Sequence, residues 1–246
     1  MSENRKLTGK VAIVFGGSRG IGAAAARRLA KEGADVGLTY VSAPDKAVDT
    51  VRAIEEEGRT GFAIKADSAD PTAVRDAVTQ AVDQLGRLDI VVVNAGILRL
   101  GDLQAVNLQE LDLMLNVNVR GVFLAIQAAA AHLSDGGRII TVGSNTAVRS
   151  GYPGSSVYAM TKAAVAVMVK GIAVDLAPRG ITVNNIQPGP TLTDMTADYV
   201  DGITPAIPLK RVGDSDEIAG LVAYLASGES GYMTGSSLTI DGGMAL

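Results

Sequence analysis

Cysteine is absent from this 246-residue chain, which excludes disulfides, thiolate metal sites and cysteine nucleophiles. There is one histidine, His132, so a histidine-rich metal centre is excluded too. It falls near the end of an expected helix, as a surface or capping residue. No cluster of basic residues stands out: 22 Lys and Arg face 26 Asp and Glu, for a net charge of −4, and no nucleic-acid partner is expected. No run approaches the length of uninterrupted apolar residues that a membrane span needs, so no membrane association is expected. Met1 to Lys10 is polar and lacks the apolar centre of a signal peptide, which points to a cytoplasmic protein. What the chain does have is 47% hydrophobic residues, enough for a sizeable core, and 29 glycines.

The apolar runs are short and alternate with helical patterns. Val11 to Phe15 reads as a strand closed by glycines, and the alanine-rich stretch from Ile21 to Glu32 as a helix capped by Gly33. Strands are expected at Val36–Val41, Thr60–Lys65, Ile90–Val93, Arg138–Val142, Ile181–Ile186 and Ser237–Ile240. Helices are expected at Asp45–Glu57, Pro71–Gln84 (with Asp70 as N-cap), Leu108–Leu133, Ser156–Leu176 and Asp216–Ala226. Strands apolar on both faces, each followed by a helix, predict a parallel sheet covered on both sides: a single-domain α/β Rossmann fold, doubly wound, with about seven strands. No linker divides residues 1–246. The exception to the alternation is Pro190 to Gly213, a stretch of weak periodicity with three prolines, expected to be a functional loop.

Between the first strand and first helix lies Gly16-Gly17-Ser18-Arg19-Gly20-Ile21-Gly22. A tight strand-to-helix turn needs backbone angles open to glycine, and a pyrophosphate approaches closely only where no Cβ intrudes. The helix N-terminus behind it offers free N–H groups to an anion. An acidic residue at the end of the second strand would hold the ribose hydroxyls of NAD. Here that end reads Thr39-Tyr40-Val41-Ser42, without an acid, and Asp35 sits at the wrong end. Arg19 inside the turn suits a 2′-phosphate, so NADP(H) is expected over NAD(H). Asp67 and Ser68 follow the third strand, where an adenine would lie. Asn94-Ala95-Gly96 follows the fourth, at the carboxyl edge of the sheet where ligands bind.

Tyr158 and Lys162 stand one helical turn apart on one face, and Ser144 follows the fifth strand through Gly143. A phenol is a poor base near neutral pH, and a nearby ammonium favours phenolate, so Tyr158 is expected to be lowered and to exchange a proton with a carbonyl or alcohol oxygen. Ser144 is placed to hold that same oxygen and Lys162 to bond ribose hydroxyls. Singly, each of these has an ordinary reading as a turn or helix-surface residue.

Together they resemble the short-chain dehydrogenase/reductase family, compact type, over essentially the whole chain. The resemblance rests on Gly16-x3-Gly20-x-Gly22, Asn94-Ala95-Gly96, Asn118, Ser144, Tyr158-x3-Lys162, Pro188-Gly189 and the ending Thr234-Gly235 to Asp241-Gly242-Gly243. It implies Tyr158 as general acid/base, Ser144 as the group that orients the substrate oxygen, and Lys162 as the residue that lowers the tyrosine and binds ribose. It implies a water on Asn118 linking Lys162 to solvent, Pro188-Gly189 as a wall for the nicotinamide, and Thr191 and Thr193 near its amide and phosphates. A mobile substrate loop after Asp194 and a homotetramer follow from the same resemblance.

Departures are visible. Phe15 replaces the family's usual Thr, so a hydroxyl brace of the glycine turn is expected to be lost. Gln187 stands where a small residue is more usual. Ser144 to Tyr158 spans 14 positions, one more than in many bacterial 3-oxoacyl-carrier-protein reductases, which is similar to members acting on aromatic or polyketide-like ketones. Asp135 stands where those reductases carry a basic residue for their acidic carrier, while Arg179 matches another. The expected activity is therefore NADPH-dependent reduction of a small ketone or aldehyde, or its reverse. The alternatives are a 3-oxoacyl-carrier-protein reductase and, more distantly, a nicotinamide-binding sensor without turnover.

Overall fold

A computed structural model describes residues 5–246; the first four residues of the polar Met1–Lys10 stretch lie outside them. Seven parallel strands form one sheet: β1 (Val11–Phe15), β2 (Asp35–Tyr40), β3 (Gly61–Lys65), β4 (Leu88–Val93), β5 (Leu133–Val142), β6 (Thr182–Pro188) and β7 (Ser237–Ile240). Their spatial order is β3-β2-β1-β4-β5-β6-β7, so the winding reverses between β1 and β4. Reversal leaves a crevice at the carboxyl ends of those two strands, where the connections diverge to opposite faces.

The central strands are apolar throughout because both faces are covered. Ile13, Phe15, Val91, Val93 and Ile139 point to the side packed by α3 (Pro71–Leu85), α5 (Val122–Ala130) and α6 (Ser156–Leu176). Ala12, Val14, Ile90, Val92 and Ile140 point to the side packed by α1 (Gly20–Lys31), α2 (Pro44–Glu56) and α8 (Ser215–Ala226). The alanines of α1, from Ala23 to Ala26, are all buried, which lets that helix lie close on the sheet. Asp70 caps α3 as expected, accepting from the backbone N–H of Thr72 at 2.8 Å, and Gly86 ends the helix in the left-handed region.

Two expectations need correction. The helix expected over 108–133 is interrupted: α4 (Leu108–Leu115) passes into a π turn at Asn116–Gly121 before α5 resumes. The helix stops at Ala130, and β5 starts at Leu133 rather than Arg138. The early start is possible because Gly136 takes φ +75° and the pairing with β4 shifts register between Leu88 and Ile90, a bulge that the strand accommodates before Arg138. Leu133 itself lies against Gly137, where a Cβ would come within 2.1 Å of its Cδ2.

Two helical stretches, Leu108–Ala130 and Ser156–Arg179, are long and apolar enough by length and composition to cross a membrane, although neither is an uninterrupted apolar run. Their apolarity has a source in the fold: Val122, Ile126, Val165 and Val169 on them form part of the sheet-facing core.

The segment from Pro190 to Gly213 is closed at its base by a bridge between Thr191 and Gly213. Between them it folds into short turns and α7 (Val200–Ile203), with Leu192, Met195, Tyr199 and Leu209 exposed.

Candidate active site

The glycine turn leaves β1 at Gly16, whose φ of +73° and closeness to Ala95 (a Cβ would lie 2.9 Å from its Cα) admit only glycine. Gly22 is under the same constraint, since its Cβ would stand 2.0 Å from the Gly16 carbonyl oxygen. The turn is braced from two neighbouring strands. Gly16 donates its N–H to Thr39 Oγ1 at 3.0 Å and Gly17 to the Thr39 carbonyl at 2.9 Å. Asn94 Nδ2 donates to the Gly16 carbonyl at 2.8 Å. The hydroxyl that position 15 does not supply thus comes from Thr39 on β2, a residue that no motif singles out. Ser18 is buried, and its carbonyl accepts from Thr50 Oγ1 of α2 at 3.4 Å.

Arg19 occupies the N-cap of α1 but makes no side-chain cap, and the first turn holds no acidic residue. The leading N–H groups of α1, at Gly20 and Ile21, therefore face the crevice without a side-chain acceptor, as an anion-binding helix end does. A cradle that any Cβ would fill, backed by a helix end of this kind, fits the diphosphate of a dinucleotide. Along the edge of the crevice, Tyr40 ends β2 half-buried, Ser42 is exposed, and Asp67 is exposed with one carboxylate oxygen accepting from the Ala69 N–H at 2.9 Å. Ser68 is buried. Asp35 is paired with Arg59 at 2.7 Å at the far end of its strand, away from the ligand edge.

Ser144, Tyr158, Lys162 and Asn118 converge beyond β4 and β5. Ser144 is buried and its Oγ accepts from the Thr146 N–H at 3.2 Å and from Thr146 Oγ1 at 2.9 Å. With two acceptor positions filled, its own O–H is left to donate. Lys162 is buried and donates to the Val142 carbonyl at 3.0 Å; its Nζ lies 5.7 Å from the Tyr158 ring centroid. Gly96 keeps open the gap between Lys162 and Asn118, for a Cβ there would lie 3.3 Å from Nζ and 3.4 Å from Asn118 Oδ1.

Asn118 sits in the π turn with its amide spent. It accepts from the Ile97 N–H at 2.8 Å, and donates to the Ile97 carbonyl at 2.9 Å and to Thr161 Oγ1 at 3.2 Å. Its side chain can offer a water only the remaining lone pair of Oδ1.

The electrostatics differ from expectation. Burial pushes the Tyr158 phenol up to about 12, opposed by the Ser144 hydroxyl and reinforced by the neighbouring Tyr152. Burial also takes Lys162 down to about 8. Desolvation penalises whichever form is charged, so it moves a phenol and an ammonium in opposite directions. The opposing effect comes from the Ser144 hydroxyl rather than from Lys162, and burial outweighs it.

Pro188 ends β6 buried, and Gly189 packs so closely on Asp241 that a Cβ would lie 2.5 Å from its Cβ. Thr191 is buried and donates to the Gly189 carbonyl at 3.0 Å. Thr193 folds back over the glycine turn, its Cγ2 3.1 Å from where a Gly20 Cβ would stand. Gln187, the unusual residue before Pro188, is buried and accepts from Thr239 Oγ1 at 3.1 Å.

Comparison with known proteins agrees with this geometry. The enoyl-(acyl carrier protein) reductase family model matches residues 16–245. A short-chain dehydrogenase from Burkholderia cenocepacia, crystallised in complex with NADP, superposes with a TM-score of 0.95 at 48% identity, covering 98% of this chain and 100% of its own. The chain belongs to the short-chain dehydrogenase/reductase family.

Members of this family of oxidoreductases act on carbonyl and alcohol groups, and two curated relatives show its breadth. Versicolorin reductase stcU of Emericella nidulans is 39% identical over 258 residues, spanning 98% of each chain. The cyclic-di-GMP-binding biofilm dispersal mediator protein of Escherichia coli K12 is 41% identical over 239 residues, spanning 96% of this chain and 97% of its own. In this short-chain dehydrogenase/reductase the sequence motifs from Gly16 to Thr193 are brought to one sheet edge. His132 is exposed, apart from them. Thr39 joins the site without having been signalled by any motif. Among the described residues no cluster of metal-ligating side chains is present.

Proposed function

We propose that this short-chain dehydrogenase/reductase reduces a small free ketone or aldehyde with NADPH. The observation that carries the reading is the convergence of Ser144, Tyr158 and Lys162 beside a glycine turn made ready for a diphosphate. NADPH, when bound, supplies the hydride. Gly16, Ser18, Gly20, Ile21 and Gly22 would hold its diphosphate, and Arg19, Tyr40 and Ser42 its 2′-phosphate end. Asp67, Ser68, Asn94, Ala95 and Gly96 would line the adenine and ribose, and Pro188, Gly189, Thr191 and Thr193 the nicotinamide side.

The phenol of Tyr158, held protonated well above neutral pH, is in the form that reduction needs: it gives its proton to the carbonyl oxygen as the carbonyl carbon is reduced. Ser144 donates its free O–H to the same oxygen. Lys162, close to losing its own proton near pH 8, is suited to return one to Tyr158. A relay water would be held between Lys162 and the remaining lone pair of Asn118 Oδ1. NADP(H) is preferred over NAD(H) because Tyr40 to Ser42 present no acid and Arg19 stands at that edge. The likeness to a structure crystallised with NADP supports this preference.

A free substrate is favoured over one carried on an acidic protein. Asp135 pairs with Arg179 at 2.9 Å, so the one matching basic residue is neutralised by the residue that departs. The exposed apolar residues Leu113, Phe123, Met160, Val167 and Val174 on α4 to α6 support a homotetramer.

A panel of free ketones, including aromatic ones, assayed with NADPH and NADH tests the reading, with turnover followed by loss of the reduced ring's absorbance. Tyr158→Phe is expected to lower kcat by about 100- to 10,000-fold while NADPH binding stays within about twofold. Unchanged turnover in that variant, or no turnover of any ketone by the parent, overturns it in favour of a ligand sensor.

A further inference from the structure

Arg19, Lys46 and Asp194 come from three separate segments and meet at one point on the rim of the crevice. Arg19 belongs to the glycine turn, Lys46 to the first turn of α2, and Asp194 to the loop after β6. The Asp194 carboxylate accepts a hydrogen bond from Lys46 and lies 3.7 Å from an Arg19 Nη. Lys46, first through its hydrogen bond and then through its charge, holds this carboxyl below the usual range, with Arg19 adding to it.

The cluster is tied to the phosphate turn on both sides. Thr193, next to Asp194, lies over Gly20. Thr50, one helical turn after Lys46, donates to the Lys46 carbonyl at 2.9 Å and to the Ser18 carbonyl at 3.4 Å, which fixes the start of α2 against the turn. The chain's own carboxylate thus bridges Arg19, the cation expected to meet a 2′-phosphate, and Lys46. A carboxylate and a phosphate dianion cannot share those cations without repulsion.

We propose that Lys46 acts with Arg19 as a second determinant of NADP(H) over NAD(H), and that Asp194 is a built-in competitor for the 2′-phosphate, so that NADP(H), unlike NAD(H), displaces it and frees the substrate loop. This rests on the cofactor preference proposed above. NAD(H), without the phosphate, leaves the clasp shut.

The test is equilibrium binding of NADPH and of NADH, measured by calorimetry, to the full-length protein and to Asp194→Asn and Lys46→Gln. All three residues are half or more exposed, so few-fold effects are expected. Asp194→Asn should tighten NADPH by roughly threefold to fivefold and change NADH by less than about twofold. Lys46→Gln should weaken NADPH by a similar factor and spare NADH. Both effects should shrink at about 0.5 M salt. In limited proteolysis, NADPH should expose the 192–203 segment of the parent protein to cleavage more than NADH does.

The inference is overturned if Asp194→Asn leaves the ratio of NADPH to NADH affinity unchanged or lowers it. The cofactor preference is tested separately, by that ratio in the parent protein. Equal parental affinities would end the preference, while a ratio that then rose in Asp194→Asn would still identify Asp194 as the competitor.

Discussion

The two sides of the crevice are built on opposite plans. The glycine turn is wedged between β2 and the exit of β4, its backbone bonded to Thr39 and Asn94, with no room for a single added carbon at Gly16 or Gly22. The 190–213 segment across from it is anchored at its base by Thr191 and Gly213 and, just beyond Thr191, by charged pairs half open to solvent at Asp194. Exposed pairs contribute about 0–1 kcal/mol each, whereas a buried N–H without an acceptor costs about 1–3 kcal/mol. One wall is therefore fixed by sterics and satisfied backbone, and the other is held lightly enough to move. A common cofactor suits the first arrangement and a variable substrate the second.

Substitutions that relax the fixed wall should cost far more than those in the light one. Gly22→Ala is expected to be the severest: its methyl would overlap the Gly16 carbonyl, lowering Tm by roughly 5 °C or more and abolishing measurable NADPH binding in calorimetry. Normal NADPH affinity in a folded Gly22→Ala protein would break the contrast.

Next comes the buried ammonium. Lys162 has a native value near 8 against 10.5 when solvated, so the unfolded chain binds more protons than the native one between those values, and stability rises with pH there. Denaturant titrations should show a gain of about 2 kcal/mol from pH 8 to pH 10, absent in Lys162→Met.

Thr39→Val keeps the shape but removes the acceptor for the Gly16 N–H. A loss of about 1–2 kcal/mol is expected by the same method, together with weaker NADPH binding. The smallest effect belongs to the light wall. Arg211 and Glu217 form an exposed pair at the far end of the loop, at 2.7 Å, yet Arg211→Gln should move Tm by less than about 1 °C.

The strand pattern and the motif residues were legible because each depends on near neighbours in sequence: apolar runs make buried strands, and glycines make the turn. What escaped depends on distant contacts. The hydroxyl of Thr39 reaches Gly16 only once β2 lies beside β1, and Asp194 meets Lys46 across 148 positions of chain. The direction of the Tyr158 shift escaped for a related reason. A Tyr-x3-Lys spacing is readable, but the depth of burial that raises the phenol is a property of the finished fold. The helix over 108–133 looked continuous because a π turn uses the same residue types as an α turn.

That π turn has a consequence for what lineages can change. Asn118 grips both backbone groups of Ile97 as a neighbouring strand would, lending the exit of β4 one more rung beyond Val93. The Asn118 amide is offered from the wider winding of Asn116–Gly121. Deleting one residue there would restore ordinary winding and swing the preceding turns by about 100° relative to α5. Length variation among descendants of this chain should therefore accumulate in the loop after Pro190 and stay out of this π turn.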